Sequence, residues 1–101
     1  MKETKQIQNL VGNTPLVKVR ANIFAKLEAA NPSGSIKDRM ALYMLENAEK
    51  NDEIRPGYEI IEATSGNTGI SFAMIAALKG YKFTAIMSEA MSAERQQMMQ
   101  A

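Results

Sequence analysis

Apolar positions in this chain change their spacing several times, and each spacing predicts an element. Leu16, Val17 and Val19, then Ile23, Phe24, Ala25 and Leu27, sit in two short β-prone runs, which predict strands over 16–20 and 23–27. Only Ala21 and Asn22 separate them, so the simplest pairing is an antiparallel hairpin. The spacing then becomes helical. Counted from Lys37, residues Ala41, Met44, Leu45 and Ala48 fall at i+4, i+7, i+8 and i+11, which predicts a helix from about Ile36 with its apolar stripe on the lysine's own face. Asn51-Asp52 and Arg55-Pro56-Gly57 end it. A strand over 58–64 around Ile60-Ile61 follows, then a Ser65–Gly69 loop and an alanine-rich helix over 70–79. In that helix Ile70, Ala73, Met74, Ala77 and Leu78 form the face expected to pack on the sheet. Gly80 stands where a C′ glycine stops a helix, a strand over 82–87 comes next, and Ser92 is placed to cap a last helix over 92–100. Strand, helix and strand joined by short loops make a βαβ unit with parallel strands and a right-handed crossover. The fold class is therefore α/β: an N-terminal β-hairpin and a partial parallel sheet with flanking helices.

Composition narrows the function classes. The chain has 101 residues, 46% hydrophobic and 23% charged, which suits one small soluble domain with a limited core. Its net charge of +1 is scattered, so neither nucleic acid nor an anionic membrane is an expected partner. No apolar run reaches the ~18 residues of a membrane span, and Met1–Gln6 leads into no signal-peptide core, so a cytoplasmic location is expected. Absence of both Cys and His removes disulfides, thiol nucleophiles, histidine-based triads and most transition-metal sites, and no metal is expected. Chemistry must come from Lys, hydroxyls, amides, carboxylates or a borrowed cofactor. Of the eight methionines, Met40, Met44, Met74 and Met98 lie on or beside helical apolar faces and read as plastic core filler.

Two stretches can supply such chemistry. In Asn31-Pro32-Ser33-Gly34-Ser35-Ile36-Lys37-Asp38-Arg39, Pro32 and Gly34 punctuate a loop, Ser35 is placed as an N-cap, and Asp38 can reach back as the acidic member of a capping box. Lys37 then enters the first helical turn on an apolar face. A helix N-terminus and partial burial both disfavour an ammonium, which suits such a lysine to Schiff-base chemistry; the plain alternative is a lysine that snorkels its stem over the core. The second stretch, Thr64-Ser65-Gly66-Asn67-Thr68-Gly69, lies at the carboxyl end of a parallel strand and the amino end of a helix. It reads either as an anion site of backbone N–H groups and hydroxyls or as an ordinary βα turn.

The run Lys26-x-Glu28-x-x-Asn31-Pro32-Ser33-Gly34-Ser35-Ile36-Lys37-Asp38-Arg39 resembles the pyridoxal-phosphate (PLP) attachment region of the cysteine synthase and cystathionine β-synthase family, fold type II. Gly12-Asn13-Thr14-Pro15-Leu16 is similar to that family's N-terminal signature, and Glu62–Gly69 to its substrate loop. Ser88-Glu89-Ala90-Met91-Ser92-Ala93-Glu94-Arg95 resembles a further segment, with Ser88 where the family commonly has Pro. The resemblance spans nearly the whole chain and about the first third of a family member. It implies PLP carried on Lys37, which also serves as proton carrier, Asn67 as a second cofactor contact, and Thr64, Ser65, Gly66 and Thr68 as carboxylate-binding residues. It further implies β-replacement of O-acetylserine or O-phosphoserine by sulfide to give L-cysteine. Apolar residues of the strands, such as Ile23, Phe24, Ile60, Ile61, Phe83 and Ile86, which a chain this short can only partly cover, point to a homodimer or other self-association. By the same resemblance, residues 1–35 form the hairpin and the approach to the lysine, 36–101 form a partial small α/β domain, and the family's phosphate cup comes from later sequence. A non-catalytic, self-associating or partner-docking domain is the competing expectation.

Overall fold

A computed structural model describes residues 6–64, 66–88 and 93–100. Among these, β1 (Leu16–Arg20) and β2 (Ile23–Lys26) form an antiparallel pair, and β3 (Glu59–Ala63) and β4 (Lys82–Ile86) a parallel pair. Three helices flank them: α1 (Lys37–Lys50), α2 (Asn67–Lys79) and α3 (Ala93–Gln100). Single 3₁₀ turns at Ile7–Leu10 and Glu28–Ala30 were not signalled by the pattern.

The hairpin turn follows from register. Leu16 to Lys18 pair with Lys26 to Phe24, but the register shifts between Lys18 and Arg20 so that Arg20 faces Ile23. Without that shift a single residue would have to close the loop; with it, Ala21 and Asn22 make a two-residue turn, Ala21 taking a positive φ of 38°. At the end of α1, Asp52 is left-handed (φ 58°) and the Glu53 N–H returns to the Ala48 carbonyl at 2.8 Å. Gly80 ends α2 the same way, with the Tyr81 N–H on the Ala76 carbonyl at 2.9 Å, as its position predicts.

The core lies where α1 meets α2. Ala41, Leu45, Phe72 and Ile75 are its buried centre, and Val11, Met40, Leu42, Ile54, Ile60, Met74 and Phe83 pack around them. The Phe72 ring lies 6.5 Å from that of Phe83, nearly parallel, which joins α2 to β4. This corrects the predicted face of α2. Ile70 and Ala73 are buried, but Ala77 and Leu78 are exposed, while Phe72, Ile75 and Ala76 are buried. The helix is apolar almost all round, so a period of 3.6 fits more than one stripe and packing on α1 made the choice. Ile70, Ala73, Ala77 and Leu78 instead line a groove of about 540 Å³ whose far side includes Met98 and Met99 of α3. Met44 and Met98, read as core filler, are about half exposed. Ser92, the expected cap of α3, lies outside the described residues, as does Glu89–Ser92 of the segment resembling the family's.

Candidate functional site

Three consecutive residues leave the start of α1 in three directions, because neighbours on an α-helix are ~100° apart. Lys37, the first helical residue, is exposed, and among the described residues its amine takes no hydrogen bond or ion pair. Its expected partial burial is not found. A side chain in a helix leans toward the N-terminus, and no preceding turn lies under Lys37 for its stem to cover.

Asp38 turns the opposite way and is fully buried. It does not form the expected capping box. Its Oδ2 accepts the Ser33 N–H at 2.7 Å, and its Oδ1 accepts the hydroxyls of Ser33 and of Ser71, the latter at 2.6 Å. Gly34 makes this geometry accessible: with φ at 94° and its N–H on the Asn31 carbonyl at 2.8 Å, the chain folds back until Ser33 faces the helix that follows. Ser35 is not the expected N-cap: α1 starts one residue later than expected, Ile36 holds the N-cap position, and the Ser35 Oγ accepts the Lys37 N–H at 3.2 Å from the residue before it.

Arg39 takes the third direction, toward the end of the hairpin. Its Nε donates to one Glu28 oxygen at 2.6 Å and its Nη2 to the other at 3.2 Å, a two-point grip, and Nη2 also reaches the Thr14 hydroxyl at 3.2 Å. The Thr14 hydroxyl and the Asn31 amide donate to the same carboxylate, and Asn31 Oδ1 accepts the Gly12 N–H at 2.8 Å. Hydrogen bonding to Arg39 is the main cause that pulls the Glu28 carboxyl from its ordinary 4.5 down to about 2; Thr14 and Asn31 assist, and partial burial opposes them. The φ of 81° favours glycine at position 12, and a Cβ there would stand 3.1 Å from Arg39 Nη1, which would have to shift slightly.

Opposite the lysine turn, α2 starts at Asn67, so three residues expected in a loop, Asn67, Thr68 and Gly69, belong to a helix's first turn. Thr64 is buried, and its Oγ1 accepts the Gly69 N–H at 2.7 Å and the Gly66 N–H at 3.4 Å. The hydroxyl thus shapes the turn from inside. Gly69 touches Thr64 so closely that a Cβ there would fall 2.4 Å from its methyl group. Among the described residues the N–H groups of Asn67 and Thr68 find no acceptor, which leaves two donors at the positive end of a thirteen-residue helix. Asn67 is exposed, Thr68 half-buried and Gly66 buried; Ser65 lies outside the described residues.

The Asp38–Ser71 bond joins the two walls, because Asp38 follows Lys37 and Ser71 sits one turn into α2. The exposed amine and the open N–H groups therefore belong to adjoining helix starts. A free amine for an aldehyde and open helix-terminal donors for a carboxylate suit the two ends of an amino acid held on an aldehyde cofactor. Sequence reasoning missed Ser71, which carried no local signal, and treated Glu28 and Arg39 only as letters of a motif, although their opposite charges flank the Pro-Gly loop.

Comparison with known proteins finds likeness along nearly the whole chain. Residues 7–101 match the family described as pyridoxal-phosphate dependent enzyme. Cysteine synthase B of Salmonella typhimurium is 53% identical over 102 residues, a match that covers 94% of this chain and 34% of the relative. A crystal structure of a hydrogen sulfide-producing enzyme from Fusobacterium nucleatum superposes with a TM-score of 0.90 at 47% identity, over 99% of this chain and 35% of that one. O-acetyl serine sulfhydrylase isoform 3 from Entamoeba histolytica gives 0.91 at 38% identity, over 98% and 33%. The chain spans about a third of the length of the relatives it matches.

Proposed function

Since the chain belongs to the pyridoxal-phosphate dependent enzyme family, we propose that it contributes the lysine and substrate-loop walls of a cysteine synthase site. The reaction is replacement of the β-substituent of O-acetylserine or O-phosphoserine by sulfide, giving L-cysteine. When bound, the cofactor supplies the electron sink. Lys37 Nζ binds its aldehyde and carries the proton to and from the substrate's α-carbon. The Asn67 side chain would hydrogen-bond the cofactor's 3′-oxygen, and the N–H groups of Asn67 and Thr68, with the Thr68 hydroxyl, Gly66 and Ser65, would hold the substrate carboxylate. Thr64 acts from behind this loop, its oxygen fixing the Gly66 and Gly69 N–H groups. Residues 1–35 serve as the approach and 36–101 as the partial α/β unit of the site.

One observation carries the reading: an exposed lysine at one helix start, unpaired among the described residues, is bridged through Asp38 and Ser71 to another helix start with two donors that are open among those residues. Borohydride reduction of the chain with PLP, followed by peptide mapping, tests it. Label concentrated on Lys37 is expected; label spread over Lys18, Lys50, Lys79 and Lys82 overturns the reading.

A second reading is favoured by a separate observation. Leu16, Val19, Ile23 and Phe24 of the hairpin and Ile61 and Ile86 of the parallel pair are each more than half exposed, and both sheets have two strands with open edges. Such surface supports self-association, as a twofold dimer or by exchange of segments. A mass that rises with concentration in sedimentation supports this reading, and a sharp monomer refutes it.

A further inference from the structure

Asp38 is fully buried, the only ionisable side chain in that condition among the described residues, and the chemistry above makes no use of its charge. Every donor on its carboxylate is neutral: the Ser33 N–H, the Ser33 hydroxyl and the Ser71 hydroxyl. Ser71 is fully buried too, and its Oγ lies 3.2 Å from that of the half-buried Ser33, so the three side chains form a closed triangle. Among the described residues no cation pairs with Asp38. For stability alone this is a poor arrangement, because apolar side chains of the same volume would join α1 to α2 without desolvating a carboxylate. What distinguishes the triangle is where its corners lie. Ser33 is in the turn that leads to Lys37, Asp38 is the next residue after Lys37, and Ser71 is one turn from the open donors of Asn67 and Thr68.

We propose that Asp38 is a positioning residue that locks the Asn31–Ser35 turn to the first turn of α2, so that the lysine wall and the loop wall move as one body. Arg39, held by Glu28 on another side of the same helical turn, sets the rotation of α1 from the hairpin. With Asp38 and Arg39 both held, Lys37 is left one direction. The coupling stands on these contacts, while its consequence for cofactor binding rests on the function proposed above.

Hydrogen exchange on the full chain separates the two. In Ser71→Ala, which removes one donor and keeps the carboxylate, amides of 31–39 and of 66–72 should exchange about tenfold faster together, as expected when a hydrogen bond to a charged group is lost. Amides around Leu45 and Ile75 should not change. Asp38→Asn should act on the same two segments more strongly; if it fails to fold, Ser71→Ala decides alone. Faster exchange throughout the chain, in only one of the two segments, or in neither, overturns the proposal. Borohydride trapping on the same samples reads the consequence: selectivity for Lys37 over Lys18 and Lys82 should fall in Ser71→Ala. Absence of that selectivity in the unaltered chain defeats the cofactor reading, while the exchange pattern still judges the coupling.

Discussion

The α1–α2 pair and the β1–β2 hairpin are both rich in apolar residues, and they treat them in opposite ways. Between the helices Ala41, Phe72 and Ile75 are almost wholly withdrawn from water, whereas in the hairpin Leu16 keeps 64% and Phe24 57% of their surface. The helices bury their apolar groups against each other, together with one polar pair, Asp38 and Ser71. The hairpin attaches to the rest through polar contacts at its ends, chiefly those of Arg39 with Glu28 and with the Thr14 hydroxyl. Stability therefore belongs to the helical pair, and the hairpin is held by charge and geometry.

Substitutions can break this contrast. Ile75→Ala empties a fully enclosed position between the helices and should cost about 3 kcal/mol, seen as a lower midpoint in urea unfolding with little change in slope. Gly69→Ala should cost about 2 kcal/mol, since its Cβ cannot coexist with the Thr64 methyl group without a shift of the loop, and thermal melting measures that loss.

Acid tests the other mode of attachment. Because the Glu28 carboxyl is depressed, the unfolded chain takes up its proton first as pH falls. The stabilisation is complete above the ordinary 4.5 and disappears as pH approaches about 2. Unfolding of the native chain should show this loss in that window, and Glu28→Gln should lack it. The smallest effect on folding belongs to Phe24→Ala, which should shift stability by no more than about 0.5 kcal/mol in dilute solution. Its effect on sedimentation at high concentration should exceed its effect on melting, and equal insensitivity in both would show that the hairpin surface does not mediate association.

Much of the fold was legible along the chain because local rules decide it. The hairpin pairing, the parallel pair, the order of elements and the stop at Gly80 follow from spacing, turn length and a glycine's tolerance of positive φ. The lysine turn and the Thr64–Gly69 loop were recognisable by composition and by likeness to a family whose membership the comparisons establish. The alanine-rich α2 was recognisable as a helix, yet its inner face was not, since apolar residues surround its axis and only packing against α1 and β4 could select Phe72 and Ile75. Asp38 misled for a related reason: near a helix start a carboxylate is a natural cap, and local rules contain no information about a serine 33 residues away.

What the sequence by itself determined were the elements, their order and the two chemical stretches, all products of interactions within a few residues. The tertiary structure alone decided that Lys37 stays exposed, that Asp38 turns inward to Ser71, and that Arg39 grips Glu28. Those outcomes depend on contacts between segments far apart in the chain, where burial and the need to satisfy each polar group select one direction among several that the local pattern allows equally.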